Sequence, residues 1–148
     1  MGRRQDQPAP GSETATELAI LECMNWSAAA AILLSLAVVL GAFGAHALRG
    51  RLDAYAMGLW EKAVFYHFVH ALGLLVVSAF PRLGLVSQNT ASWVCGLLLA
   101  GVVFFSGSLY VLAITGVRIL GAVTPLGGLS FIAAWLLLAF ALLRNRAS

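Results

Sequence analysis

The chain has 148 residues, 61% of them hydrophobic and only 10% charged, with a formal net charge of +3. A soluble globular chain carries about 25% charged residues, so this one lacks the polar surface to stay dissolved in water. Its nine Lys and Arg residues fall almost entirely outside the long apolar runs and form no stripe, which argues against a nucleic-acid partner and places the charge at membrane edges.

Residues 1–24, rich in Pro, Gly, Ser, Thr and acids, read as a mobile tail. The first apolar run, 26–48, exceeds at about 1.5 Å per residue the roughly 30 Å needed to cross the hydrocarbon. A cleaved signal peptide ending at Ala45-His46-Ala47 competes with this reading, but Arg3 and Arg4 lie far upstream and the run is long for a signal. From Arg49 to Trp60, Leu48, Leu52, Tyr55, Leu59 and Trp60 recur at helical spacing behind Arg49 and Arg51, the pattern of a short amphipathic segment at the interface.

A second span over 63–80 stops at Pro81-Arg82, where ring and charge both oppose continuation. The polar loop Ser87-Gln-Asn-Thr90 leads into a third span, 91–115. The fourth, 124–143, opens at Thr124-Pro125, an N-cap followed by a proline at the first helical position, and ends before Arg144 and Arg146. Short loops force neighbours to be antiparallel, so the expected fold is an all-helical, four-span antiparallel bundle with both termini on one side. The terminal side carries Arg82, Arg144 and Arg146 plus the distant Arg3 and Arg4; the other carries Arg49, Arg51, Lys62 and Arg118. If protein contacts occupy some of the second group, the positive-inside rule puts the termini in the cytoplasm. Ala37, Gly41 and Ala45, and again Gly96 and Ala100, recur every four positions and read as helix-packing stripes.

Polar groups inside a membrane are costly, and each is a functional candidate with a partner to be named. Lys62, Tyr66 and His70 share one helix face, and His70 lies about 13.5 Å along the axis from Glu61, near mid-bilayer. Ser106 on the antiparallel third span should reach the same depth, so a hydrogen bond from Ser106 or Ser108 to His70 is expected; a proton or substrate path is the alternative. His46 sits at the end of its span and does not match His70 in depth, which disfavours haem, and no carboxylate or thiol completes a metal shell for His67 and His70. No cofactor is expected. Cys23 and Cys95 have no CxxC spacing and read as incidental thiols.

At the non-terminal end the topology gathers His46, Arg49, Glu61, Lys62, Tyr110, Arg118 and the helix start at Thr124. Cations beside free helix-start amides suit an anion such as a lipid phosphate; the competing reading is internal pairing, with Glu61 answering Arg118 or Arg49. No phosphate loop, serine elbow, metalloprotease helix or pair of intramembrane carboxylates is present.

Five ordered motifs, Gly41-Ala-Phe-Gly-Ala-His-Ala-Leu48, Tyr66-His-Phe-Val-His-Ala-Leu72, Ser106-Gly-Ser-Leu-Tyr110, Thr115-Gly-Val-Arg118 and Gly121-Ala-Val-Thr-Pro-Leu-Gly-Gly128, together resemble the YgdD family of small inner-membrane proteins, a domain of unknown function with eukaryotic relatives. The resemblance covers roughly residues 25–143 and implies four retained spans, with the first uncleaved, while supplying no reaction, substrate or cofactor. His67 stands where glutamine or another polar residue is expected, which weakens a paired-histidine site. The functional expectation is a structural or accessory protein of a bacterial inner membrane, binding lipid or a partner subunit through the non-terminal cluster. A small oligomeric transporter or channel is the alternative, and an enzyme using His46 or His70 comes third.

Overall fold

A computed structural model of the chain describes residues 12–145, with side chains described from Asn25 onward. Residues 1–11, the first part of the expected tail, and residues 146–148, Arg146 among them, therefore lie outside the described residues, as do the side chains of residues 12–24. Helix α1 covers Ser12–Phe43 and widens into a π-turn, Gly44–Leu48; α2 covers Ala54–Ala79. Helix α3, Gln88–Gly101, passes through a second π-turn, Val102–Gly107, into α4, Ser108–Thr115, and a 3-10 turn, Arg118–Ala122, precedes α5, Thr124–Asn145.

These elements make four rods long and apolar enough to cross a membrane: Asn25–Leu48, Ala54–Ala79, Gln88–Thr115 and Arg118–Asn145. The chain is thus an all-helical, four-span membrane protein, the fold class that hydropathy alone requires.

Local chemistry sets the ends. Asp53, in extended conformation, caps α2 by accepting from the Ala56 amide at 2.7 Å. The stretch expected as a separate interfacial segment is therefore largely the first turns of α2, which begins well before Ala63. Ser87 caps α3 in the same way through the Thr90 amide. Gly116 closes α4 in the left-handed conformation, φ +70°, with its amide returned to the Leu112 carbonyl at 2.8 Å.

α2 and the α3–α4 rod are the inner pair, with 39% and 44% of their apolar windows buried, against 17% and 22% for the first and fourth spans. α1 packs mainly on α2, and α5 on α3. The main core joins Leu74 and Val77 of α2 to Val94, Cys95 and Leu98 of α3 and Phe131, Ala134 and Leu138 of α5. Outward, Ile32, Val38, Val39, Leu129, Ile132, Leu136 and Phe140 are all exposed, as hydrocarbon rather than water requires.

Hydrogen bonds join the rods inside the bilayer: Ser27 to Ser78 at 2.9 Å, the Ser130 hydroxyl to the Leu97 carbonyl at 2.8 Å, and the Trp60 indole N–H to the Leu40 carbonyl at 3.0 Å. At the terminal side the Asn145 side-chain amide donates to the Gly84 and Leu85 carbonyls, both at 3.1 Å, tying the end of α5 to the α2–α3 loop. The expected close approach at Gly96 is open: a Cβ there meets nothing within 4 Å. At Gly127 of α5 the obstacle is backbone rather than side chain: a Cβ there would run into Phe105 in the second π-turn.

Candidate functional site

The non-terminal end was expected to be one polar cluster. The structure divides it into an interior network and two surface clefts.

The interior network grows from Trp60, buried at 2% exposure, whose ring packs on Tyr110 at a centroid distance of 4.7 Å. A Cβ on Gly44 would lie 2.5 Å from the Trp60 indole nitrogen, so the first π-turn is shaped to admit that ring. The Tyr110 hydroxyl lies 3.3 Å from His67 Nδ1, a bond at the long end of the range. The other ring nitrogen of His67 is buried toward the Leu33 carbonyl of α1 but forms no well-aligned hydrogen bond.

His70 is also buried, and its Nδ1 donates to the Tyr66 carbonyl at 2.8 Å; because a carbonyl only accepts, that nitrogen carries the proton. Its ring stacks on Phe131 at 3.5 Å and on Tyr66 at 5.6 Å, so Tyr66 and His70 do share a face, whereas Lys62 is exposed. The hydrogen bond expected between His70 and Ser106 or Ser108 is not made. Ser108 joins the Thr124 hydroxyl at 2.8 Å and donates to the Phe105 carbonyl, and the fully buried Ser106 hydroxyl has no hydrogen-bond partner among the described residues. The π-turn explains the miss: it adds a residue to the turn and shifts the facing of Ser106 from its α-helical position.

Thr124 is also not the N-cap that its Pro125 neighbour suggested. The 3-10 turn runs directly into α5, and the single Thr124 hydroxyl proton faces Ser108 at 2.8 Å and the Leu120 carbonyl at 3.3 Å, donating to one of the two. The Val123 and Leu126 amides donate to Leu120 and Val123, and Pro125 has no N–H, so these positions supply no free donors for an anion.

The larger cleft is a groove of about 800 Å³ between α1 and α2, open to the lipid. One wall is Ala37, Val38, Gly41 and Ala42 of α1 with Gly44 and Ala45 of the π-turn that follows; the α2 wall is Met57, Trp60, Val64, Phe65 and Phe68. Of the stripe read as packing, only part packs: Ala37 is buried and a Cβ on Gly41 would touch Val64 at 3.4 Å, while exposed Ala45 leaves room. The groove closes at its polar end on Arg49 and Glu61. Both are exposed, and the pairing expected between Glu61 and Arg49 or Arg118 is absent.

The second cleft, about 710 Å³, lies between the start of α2 and the end of α4 and is lined by Arg51, Asp53 and Arg118 above Leu59, Leu112 and Ile114. His46 is exposed and lines neither cleft. Among the described residues no group of three or more His, Cys, Asp or Glu side chains is placed to hold a metal ion.

Sequence reasoning missed Trp60, Met57, Val64, Phe65 and Phe68 as cleft walls and Arg51 and Asp53 as cleft residues. Asp53 carried a usable signal, being an N-cap residue before an apolar helical run. The aromatic wall carried none, since apolar side chains in a span look alike from sequence whether they face core or groove.

Residues 40–128 match a family model described as a protein of unknown function, DUF423. The chain is 55% identical to a UPF0382 membrane protein of Staphylococcus haemolyticus over 66% of its own length and 78% of the relative's. It is 52% identical to a UPF0382 membrane protein of Staphylococcus epidermidis, over 74% of this chain and 87% of that one. It is 50% identical to the UPF0382 membrane protein YwdK of Bacillus subtilis, over 72% and 85% respectively. No solved structure matches.

Proposed function

The chain belongs to the DUF423 family, whose relatives are membrane proteins, and on that basis we propose that it is an accessory membrane protein that holds one zwitterionic phospholipid in the α1–α2 groove. The observation that carries this reading is the unpaired Arg49–Glu61 end of a groove whose remaining walls are small or apolar. An acyl chain fits walls of Ala, Gly and Phe without losing any hydrogen bond. A headgroup at the polar end would offer its phosphate to the Arg49 guanidinium and its ammonium to the Glu61 carboxylate. Phosphatidylethanolamine has both charges in that arrangement.

The packing supports an accessory role over a pore. The space between the inner helices is filled by Leu74, Val94, Leu98 and Phe131, and the two large clefts open outward. His70, stacked between rings with its Nδ1 proton committed, is poorly placed for proton transfer. We place the protein, with its YgdD-like character, in a bacterial inner membrane with cytoplasmic termini.

Native mass spectrometry after gentle detergent extraction tests the proposal. The wild type should retain phosphatidylethanolamine, and Arg49→Gln combined with Glu61→Gln should lower its occupancy about tenfold. Equal occupancy in the two proteins would remove the groove as the binding site.

A further inference from the structure

We infer that the second cleft is a separate site for an anionic phospholipid, recognised through its phosphodiester by Arg51 and Arg118. The site uses none of the groove's charged residues and stands or falls independently of the reading above.

The charge balance of the cleft points to an anion. Two guanidiniums face one carboxylate, leaving one positive charge uncompensated. The side-chain acceptors nearby serve the backbone: one oxygen of Asp53 receives the Ala56 amide at 2.7 Å as the cap of α2, and the Thr115 hydroxyl receives the Val117 amide at 3.3 Å while donating to the Val111 carbonyl at 2.7 Å. Among the described residues neither the Arg51 nor the Arg118 guanidinium has a hydrogen-bond or ion-pair partner; the Arg51 backbone amide donates to the Leu48 carbonyl at 2.9 Å. Each guanidinium carries five N–H donors in a fork that matches two oxygens of a phosphate, so the cleft presents two sets of donors that no protein side chain engages.

Position then separates a lipid from a soluble anion. Arg51 lies in the turn before α2 and Arg118 just after α4, both at span ends where headgroups lie, while Leu59, Leu112 and Ile114 continue the cleft toward the hydrocarbon. A cationic rim over an apolar floor fits an amphiphile. The single uncompensated charge matches the single negative charge of phosphatidylglycerol, in contrast to the Arg49–Glu61 pair, which suits a zwitterion.

The test is binding of the purified full-length protein, in nanodiscs of phosphatidylcholine, to a fluorescent phosphatidylglycerol introduced as a minor component. The wild type should prefer this probe to labelled phosphatidylcholine. Arg51→Gln combined with Arg118→Gln should weaken the preference about thirtyfold, at about a tenfold or smaller share per guanidinium at the membrane surface. Both arginines are exposed, so the thermal midpoint should not move. Asp53→Asn keeps an N-cap but removes the competing carboxylate, and it should tighten binding. Unchanged preference in the double variant, or no preference in the wild type, overturns the inference. Displacement of the probe by inorganic phosphate at comparable concentration would also overturn it, by assigning the cleft to a soluble anion. Loss of phosphatidylglycerol preference in Arg49→Gln with Glu61→Gln instead would transfer the anionic site to the groove and likewise contradict it.

Discussion

Gly127→Ala gives the sharpest check on the packing. The added Cβ would meet the amide nitrogen and Cα of Phe105, backbone atoms of the second π-turn that no side-chain rotation can clear. Forcing a methyl group into a packed interior costs about 1–3 kcal/mol, and a backbone obstacle puts this site at the upper end. Alanine's better helix propensity returns about 1 kcal/mol, leaving a net loss of about 2 kcal/mol. For a chain near 150 residues that corresponds to a fall in Tm of about 4–8 °C. Gly96→Ala is the matched control: nothing stands within 4 Å of its Cβ, so only the propensity gain of about 1 kcal/mol remains and Tm should rise by a few degrees. Intrinsic tryptophan fluorescence on heating, in one detergent, reads both. A Gly127→Ala protein as stable as the wild type, beside a normal Gly96→Ala response, would show that α5 does not press on the π-turn.

Three further outcomes follow from individual bonds. Ser106→Ala should be neutral or stabilising by up to about 1 kcal/mol, because it deletes a buried hydroxyl that has no partner among the described residues; a clear loss in thermal stability would reveal an acceptor or bound water at that site. Trp60→Phe should cost about 1 kcal/mol through the bond to the Leu40 carbonyl, with more lost if the smaller ring leaves a void against Gly44, and an unchanged midpoint would deny that bond any weight. For orientation, Ser148→Cys in a Cys23→Ser background should resist a membrane-impermeant maleimide in intact cells and react after lysis; labelling of intact cells would put the termini outside.

The four spans were legible because hydrocarbon leaves a chain few options: long apolar runs, broken where Pro81 or the polar Ser87–Thr90 stretch ends them, become helices. Asp53 and Gly116 follow ordinary capping chemistry and could be placed by the same rules. The two π-turns had no such signature, since Gly44–Leu48 and Val102–Gly107 are composed like the helices around them. Each π-turn changes which way later side chains face, and for this reason the depth that Ser106 shares with His70 along the sequence does not bring the two into a bond. The polar end was legible as a list of residues but not as a partition. Depth along the axis says nothing of azimuth, and azimuth sends Arg49 with Glu61 to one cleft and Arg118 with Arg51 to another, while Tyr110 turns inward to Trp60 and His67.

An experimental map of the protein purified with its native lipids bears most directly on the proposed role. Continuous elongated density should run past Ala37, Gly41 and Ala45 and end in a headgroup between Arg49 and Glu61. An empty groove, or one filled by a helix of a second copy, would contradict a lipid-holding function.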